Sequence, residues 1–203
     1  MTIALIGATG FIGSRILSEL VSRGHQVTAV VRNPEKVPAL AGVTAVKGDI
    51  FDKESLARLL AGHDAVISSV HYLASDADAL LGAVKQSGVK RYLVVGGAGS
   101  LEVAPGVKLF DTPDFPAAYH AEAKKGGAYL ERLRQEKVLD WSFLSPSAVI
   151  APGERTGKFR LGGDQLLVDG GGNSAISAED FAVALVDELE KPAHSRKRFT
   201  VGY

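Results

Sequence analysis

Apolar residues form short continuous runs along the chain, separated by segments in which apolar and polar residues recur with a helical period. Residues 3–6, 27–31, 65–70 and 92–95 are the clearest runs, and none alternates strictly between apolar and polar positions. Continuous runs are typical of strands buried on both faces of a parallel sheet. The pattern predicts strands there, and shorter ones at 45–46, 141–144, 165–168 and 199–201.

The segments between the strands predict helices. Ile12, Ile16 and Leu20 share one face of a helix over about 11–23, and Gly24 ends it as a left-handed cap would. A longer helix is expected over about 117–136.

Three helix starts are marked by capping residues. Asp52 is placed to cap a helix, and Ser75-x-x-Asp78 and Ser177-x-x-Asp180 have the spacing of capping boxes. These residues predict helices that begin just after positions 52, 75 and 177.

Alternating strands and helices predict a single α/β domain over residues 1–203. Right-handed crossovers between parallel strands produce a Rossmann-type doubly wound sheet, with ligands bound beyond the carboxyl ends of the strands. The second half is less regular, with prolines at 105, 113 and 116 and a glycine-rich stretch over 151–165. We therefore expect a small C-terminal substrate lobe, built mainly from residues 99–118 and 146–175.

Composition narrows the range of partners. Basic and acidic residues number 23 each, and the chain has no cysteine. A neutral chain offers no electrostatic attraction for nucleic acid or an anionic membrane, and the lack of cysteine excludes disulfides and thiolate chemistry. The five histidines show no metal-ligand spacing. Because no basic leader or membrane-length apolar run is present, we expect a cytoplasmic protein without a metal, whose partner is a small molecule.

A glycine-rich turn follows the first strand and opens the first helix. The run Gly7-Ala8-Thr9-Gly10-Phe11-Ile12-Gly13 has this context, which a dinucleotide-binding turn requires. Glycine permits the tight turn and close approach to a pyrophosphate, and the helix offers unpaired N–H groups. The alternative is a tight turn without a ligand. The residues expected to hold the pyrophosphate are Gly7, Thr9, Gly10, Phe11, Ile12 and Gly13.

The end of the second strand indicates which dinucleotide binds. Sites that prefer NAD usually carry Asp or Glu there, whereas this chain has Val31-Arg32-Asn33. The Arg32 guanidinium is placed to bind a 2′-phosphate in bidentate fashion, which favours NADP(H) over NAD(H). The alternative is a solvated charge that follows a strand.

The ends of the other strands supply further candidates for the cofactor and substrate sites. Asp49 and Ile50 are expected at the adenine, and the alternative for Asp49 is a loop residue that starts a helix. Small residues after the fourth and fifth strands leave room for the nicotinamide, and Ser100 is a candidate for orienting a substrate carbonyl or a simple turn serine. The residues expected at the nicotinamide and its ribose are Ser68, Ser69, Val70, Gly96 and Gly97.

Several segments together carry a family resemblance. Besides the glycine turn and Arg32, these are residues 141–146 (WSFLSP), 157–164 (GKFRLGGD) and 176–182 (ISAEDFA). The chain resembles the atypical short-chain dehydrogenase/reductase superfamily, and within it the NAD(P)H-binding branch of putative NADH-flavin reductases, biliverdin reductase B-like and NmrA-like proteins. The resemblance spans essentially the whole chain.

One departure from the superfamily bears on the chemistry. Carbonyl-reducing members use a tyrosine four residues before a lysine, whose charge lowers the pKa of the tyrosine. Here Tyr119 is followed at that offset by Ala123, with lysine only at 124, and Tyr129 is followed by Leu133. Five helical residues rotate through about 500°, so Tyr119 and Lys124 do not share a face.

The missing tyrosine–lysine pair favours a hydride transfer in which the protein only has to position the cofactor and the acceptor. Flavin reduction fits this description, because solvent can supply the proton. We therefore expect an NAD(P)H-dependent reductase of flavin, either FMN or FAD, or of a similar planar acceptor. The alternative is a non-catalytic NADP(H)-binding redox sensor of the NmrA-like kind. A sugar-nucleotide epimerase or dehydratase is disfavoured by the missing pair. The sequence does not fix the oligomeric state.

Overall fold

Strands and helices alternate through the first half of the chain in the computed structural model, which describes all 203 residues. The strands are β1 (Thr2–Ile6), β2 (Gln26–Val31), β3 (Val43–Lys47), β4 (Ala65–Ser68), β5 (Arg91–Val95), β6 (Glu102–Ala104), β7 (Val107–Lys108), β8 (Asp140–Ser145), β9 (Val149–Ala151), β10 (Arg160–Gly162), β11 (Ala175–Ser177) and β12 (Lys197–Gly202). The helices are α1 (Phe11–Ser22), α2 (Lys53–Leu60), α3 (Ala77–Ser87), α4 (Ala117–Arg134) and α5 (Ala178–Glu190).

Eight strands form the central sheet, in the order β10-β12-β8-β5-β4-β1-β2-β3. All neighbouring strands are parallel except β10, which runs antiparallel to β12. The chain leaves β1 towards β2 and β3 and then crosses over to β4 on the other side of β1. The predicted Rossmann-type sheet is confirmed, and its switch point lies between β1 and β4, where ligands bind in this class of fold.

Helices cover both faces of the sheet, so the strands are buried from two sides. The apolar faces of α1 and α5 pack on one side, around Ile16, Leu20 and Phe181. The helices α2, α3 and α4 pack on the other, around Leu56, Leu80 and residues of α4 such as Leu130 and Leu133. Burial on both faces explains the continuous apolar runs of β1, β4 and β5.

Two of the predicted caps are present and one is displaced. Asp52 and Ser177 accept hydrogen bonds from the amides of the residues three positions on, at 3.0 Å in each case. The cap of α3 is Asp76, whose carboxylate accepts from the amide of Ala79 at 2.8 Å, and not Ser75. Ser75 is buried and its hydroxyl donates to the carbonyl of Tyr72 at 3.3 Å, so it is not available at the helix end.

The less regular second half contributes two small ribbons beside the sheet, β6 with β7 and β9 with β11. The strand predicted over 165–168 is wrong, because Gln165 forms only an isolated bridge with Glu102. That bridge joins the two segments assigned to the substrate lobe, whose separate role stays a prediction. None of the five helices is both long enough and apolar enough to cross a membrane.

Candidate functional site

The turn between β1 and α1 is tight enough to require glycine at two positions. Gly7 has φ +86°, and a Cβ added there would lie 2.1 Å from the carbonyl oxygen of Ser69. A Cβ on Gly13 would lie 2.0 Å from the carbonyl oxygen of Gly7. Both distances are far below van der Waals contact, so these two glycines let α1 begin directly at the switch point.

The first turn of α1 has features of an anion-binding site. Its N-cap is Gly10, which supplies no side-chain acceptor, and the first turn contains no acidic residue. The helical hydrogen bonds begin with the amide of Ser14, which donates to Gly10 at 2.9 Å. The amides of Phe11, Ile12 and Gly13 therefore precede the hydrogen-bonded helix, with the positive end of its dipole. This arrangement fits the pyrophosphate of a dinucleotide.

Two residues predicted for the glycine turn have side chains exposed to solvent. Thr9 and Phe11 are exposed, and the guanidinium of Arg15 lies 4.6 Å from the centre of the Phe11 ring. Arg15 also donates to Glu179 Oε1 at 3.2 Å, and Glu179 Oε2 accepts from the amide of Gly153 at 2.8 Å. Glu179 therefore ties the loop after β9 to the start of α1, a contact over 164 residues that no local sequence signal indicates.

Arg32 lies beside the glycine turn with its charge free. The amide of Gly7 donates to the carbonyl of Val30 at 3.1 Å, which fixes the turn against the end of β2 two residues before Arg32. The Arg32 side chain is exposed and makes no hydrogen bond or ion pair within the chain. The crevice beyond the carboxyl ends of β1, β2, β4 and β5 is the expected ligand site of this fold. The Arg32 guanidinium is available for a phosphate at the β2 end of this crevice.

The residues that follow β3, which were predicted at the adenine, also stabilise the loop between β3 and α2. Asp49 is exposed and its Oδ1 accepts from the amide of Phe51 at 2.9 Å, which stabilises the turn into α2. Ile50 is half-buried and packs against the core on the α2 side. The loop role that was the alternative for Asp49 is thus visible, and contact of either residue with adenine stays a prediction.

The three residues predicted after β4 have different surroundings. The Ser69 amide donates to the carbonyl of Ile6 at 2.9 Å, and both Ser69 and Val70 border Gly7. Ser68 is buried, and its hydroxyl forms a 2.8 Å hydrogen bond with the hydroxyl of Tyr92. The Ser68 hydroxyl therefore faces the core, and the predicted place of this residue beside the nicotinamide ribose stays a prediction.

Ser68 belongs to a buried chain of hydroxyl groups on the α4 side of the sheet. The Tyr92 hydroxyl also pairs with that of Tyr129 at 2.7 Å, and Tyr72 donates to the carbonyl of Val95 at 2.7 Å. Burial raises the pKa of all three tyrosines, so they remain neutral hydrogen-bonding groups. Gly126 is required here, because a Cβ on it would lie 2.8 Å from the Tyr72 ring.

Gly96 and Gly97, at the end of β5, have separate roles. A Cβ on Gly96 would lie 2.3 Å from the Phe143 ring, whereas a Cβ on Gly97 would meet no atom within 4 Å. Gly96 thus allows β5 and β8 to pack, and Gly97 leaves open space at the edge of the sheet where the nicotinamide was predicted.

Ser100 does not face that open space. It is buried, and its hydroxyl accepts from Arg198 Nη1 at 3.3 Å while its carbonyl accepts from Nη2 at 3.4 Å. Arg198 also donates to Asp164 at 2.6 Å. Of the two roles left open for Ser100, the structure supports the structural one and not the orienting of a substrate carbonyl, because the residue is part of a buried anchor between β12 and two loops.

The tyrosine–lysine pair is absent from the structure as well as from the sequence. Tyr119 is 66 % exposed, and Lys124 is occupied by an ion pair with Asp111 at 2.5 Å and lies 4.0 Å from the centre of the Phe110 ring. Tyr129 is buried in the core. No tyrosine hydroxyl in α4 is therefore paired with a lysine.

Glu122 is a further residue that sequence reasoning missed. Its two carboxylate oxygens accept from the amides of Tyr72 and Leu73, at 2.6 and 2.9 Å. It thereby fixes the loop after β4, which leaves Leu73 62 % exposed near the crevice. The contact joins residues 50 positions apart, so no local pattern marks it.

The fold, the glycine turn and the uncapped helix agree with the family comparison. The NAD(P)H-binding family model matches residues 7–192. The chain belongs to this NAD(P)H-binding family. This family is oxidoreductase-like, and the fold is that of the Rossmann-like NAD(P)-binding proteins.

Individual relatives cover the chain nearly end to end. The uncharacterized protein YwnB of Bacillus subtilis is 42% identical over 99% of this chain and 98% of its own. A solved structure described as a putative epimerase from Bacteroides thetaiotaomicron is 44% identical, with a TM-score of 0.95 over 100% of this chain and 96% of its own. Another, SP1627 of Streptococcus pneumoniae, described as a putative NADH-flavin reductase, is 37% identical, with a TM-score of 0.83 over 100% and 99%.

Proposed function

We propose that the protein is an NADPH-dependent reductase of free flavin or a similar planar acceptor. The observation that carries the proposal is the combination of a phosphate-binding glycine turn with an open sheet edge that lacks a tyrosine–lysine pair. Hydride transfer to a flavin requires the two rings to be held together, and it requires no protein acid or base. The likeness to SP1627 supports the same acceptor class.

The chain's contribution is to bind and orient. The amides at the start of α1 and the Arg32 guanidinium hold the phosphates, and Gly97 leaves open space at the strand end for the nicotinamide. When bound, the reduced nicotinamide supplies the hydride. The exposed Leu73, fixed by Glu122, gives the acceptor an apolar surface beside the crevice.

Turnover is the direct test. The protein is mixed with NADPH and either FMN or a quinone, and the loss of reduced nicotinamide absorbance is followed. We expect oxidation well above the protein-free rate with FMN. A rate equal to the protein-free rate with both acceptors would overturn the enzyme proposal.

Arg32 provides the test of cofactor preference. Loss of a bidentate, charge-assisted contact costs about 1.5–3 kcal/mol, or about 10- to 100-fold in affinity. Arg32→Ala should therefore lower the affinity for NADPH by that factor and change the affinity for NADH by no more than about twofold. Titration of the variant with each cofactor measures both affinities. Equal losses for both would contradict the assignment of NADPH.

A second candidate function is an NADP(H)-binding redox sensor. It is supported by the missing tyrosine–lysine pair, which is also expected of a protein that binds the cofactor without turning it over. If the protein is a sensor, we expect it to bind NADPH tightly and not to oxidise it. An epimerase is disfavoured despite the description of the Bacteroides structure, because Tyr119 is exposed and has no lysine partner.

A further inference from the structure

A second concave site lies at the opposite end of the sheet from the glycine turn. Its volume is about 530 Å³, and its walls come from the starts of β8 and β12, the end of β10 and the end of α4. Trp141 is near the start of β8, whereas the crevice lies beyond Ser145 at its other end. Four residues of strand span about 13 Å. This cavity is therefore separate from the cofactor crevice.

Cationic side chains dominate the cavity wall. Arg134, Arg196, Lys197 and Arg198 line it, with Asp164 as the one carboxylate. Asp164 is shared by Arg198 Nε at 2.6 Å and Arg134 Nη2 at 3.0 Å, and Arg134 Nη1 also donates to Glu131 at 2.7 Å. The charges of these two arginines are therefore balanced by two carboxylates. Arg196 and Lys197 are exposed and have no acidic partner. The chain is neutral overall, so this excess of positive charge is local.

Two unfavourable features meet in the same wall. Arg196 has φ 53°, the only positive value at a residue other than glycine, and its amide donates to the carbonyl of Trp141 at 2.6 Å. Backbone strain of this kind often occurs at binding sites. Trp141 is buried, and its indole N–H has no hydrogen-bond partner. Both features are costly unless something at the site compensates for them.

The remaining histidine in the wall is already engaged. His194 Nδ1 lies 2.8 Å from Glu188 Oε2, and its ring is stacked on Phe199 with centroids 4.2 Å apart. Arg196 Nε donates to the carbonyl of Leu139 at 3.2 Å. Free binding capacity is therefore concentrated on Lys197 and on the two terminal nitrogens of Arg196. Gly162 and Gly163 form the opposite wall and leave the backbone accessible.

We propose that this cavity binds a multivalent anion of the phosphate class at a site independent of the cofactor. Guanidinium groups match phosphate oxygens in bidentate geometry, and clustered cations favour multivalent over monovalent anions. The volume of about 530 Å³ suits a small organic phosphate.

The single tryptophan gives a direct readout, because Trp141 lines the cavity. Pyrophosphate is titrated into the protein at low ionic strength while tryptophan fluorescence is followed, with KCl at matched ionic strength as the salt control. NADP⁺ is present at saturation throughout, so that the crevice is filled. We expect a saturable fluorescence change that KCl does not reproduce.

The matched variants remove equal charge inside and outside the cavity. Arg196→Gly combined with Lys197→Gln should lower the affinity for pyrophosphate at least tenfold. Glycine is chosen at position 196 because it is compatible with the left-handed backbone there. Lys90→Gln combined with Lys191→Gln removes two exposed cations outside the wall and should bind as the wild type does. Unchanged circular dichroism confirms that each variant is folded. No saturable change in the wild type, or equal losses in both double variants, would overturn the proposal.

Discussion

At the scale of single residues, the glycines of the crevice have roles that substitution can separate. Alanine is the better helix former, by about 1 kcal/mol, so Gly13→Ala would stabilise an ordinary helix. Here the added methyl would lie 2.0 Å from the Gly7 carbonyl oxygen. We therefore expect Gly13→Ala to lower the free energy of unfolding by about 1–3 kcal/mol and to abolish dinucleotide binding, as measured by denaturant titration and cofactor titration.

Gly97→Ala is the matched control for that prediction. Its added methyl would meet nothing within 4 Å, so stability should change by less than about 0.5 kcal/mol. If Gly97→Ala destabilised the protein as much as Gly13→Ala, the steric argument for Gly13 would be wrong.

The positions of glycines and strand-end residues could be predicted from the sequence, but the orientation of the serine side chains could not. A serine at the end of a strand faces the core or the ligand according to the strand's pleat and the partners it meets. Ser68 meets Tyr92, 24 residues away, and Ser100 meets Arg198, 98 residues away. Neither partner is marked by any local pattern, so the sequence could not indicate that these two hydroxyls point into the protein interior.

At the scale of elements, α1 and α5 are joined by ion pairs that centre on Glu19. This buried carboxylate accepts from Arg23 Nε and Arg155 Nε, each at 2.7 Å, and Arg23 reaches Asp187 on α5, also at 2.7 Å. Hydrogen bonding by Arg155 is the main cause that holds the pKa of Glu19 below its usual range, with Arg23 adding to it and burial opposing it. The charged carboxylate therefore stabilises the folded state.

Glu19→Gln should lower the free energy of unfolding at pH 7 by about 1–3 kcal/mol. The folded-state pKa is depressed, so the wild-type advantage is complete above the ordinary glutamate pKa of about 4.3 and is lost as pH falls through the lower folded-state value. Denaturant titrations between pH 7 and acid should show the two stabilities converging. Glu54→Gln, at an exposed site on α2, is the control, and a difference independent of pH would contradict the ionic explanation.

The elements that the sequence predicted best are those buried on both faces. Continuous apolar runs located β1, β2, β4 and β5, because burial from two sides leaves a pattern in the residues themselves. The short strand β10 and the ribbon β6–β7 have exposed residues and no such pattern, so they were missed. The cap of α3 was misplaced by one residue because serine and aspartate are both good caps and are adjacent here.

At the scale of the whole molecule, two helical layers share one sheet. Trp141 lies in the core on the α4 side, while α1 and α5 pack on the other. Because each strand between the layers contributes side chains to both, we expect the layers to unfold together. Tryptophan fluorescence and far-ultraviolet circular dichroism should report the same midpoint in denaturant. Separated midpoints would show that part of the chain, such as the proposed substrate lobe, folds as an independent unit.

Both margins of the central sheet are protected. At one margin β10 is only three residues long, and Arg160 on it donates to the carbonyls of Val168, at 2.7 Å, and Tyr203. At the other, β3 exposes Thr44 and Lys47. A short edge strand and a charged side chain on an edge strand both oppose the addition of a strand from a neighbouring molecule. Fibrous growth by pairing of strands from one copy of the chain to the next is therefore disfavoured at both edges.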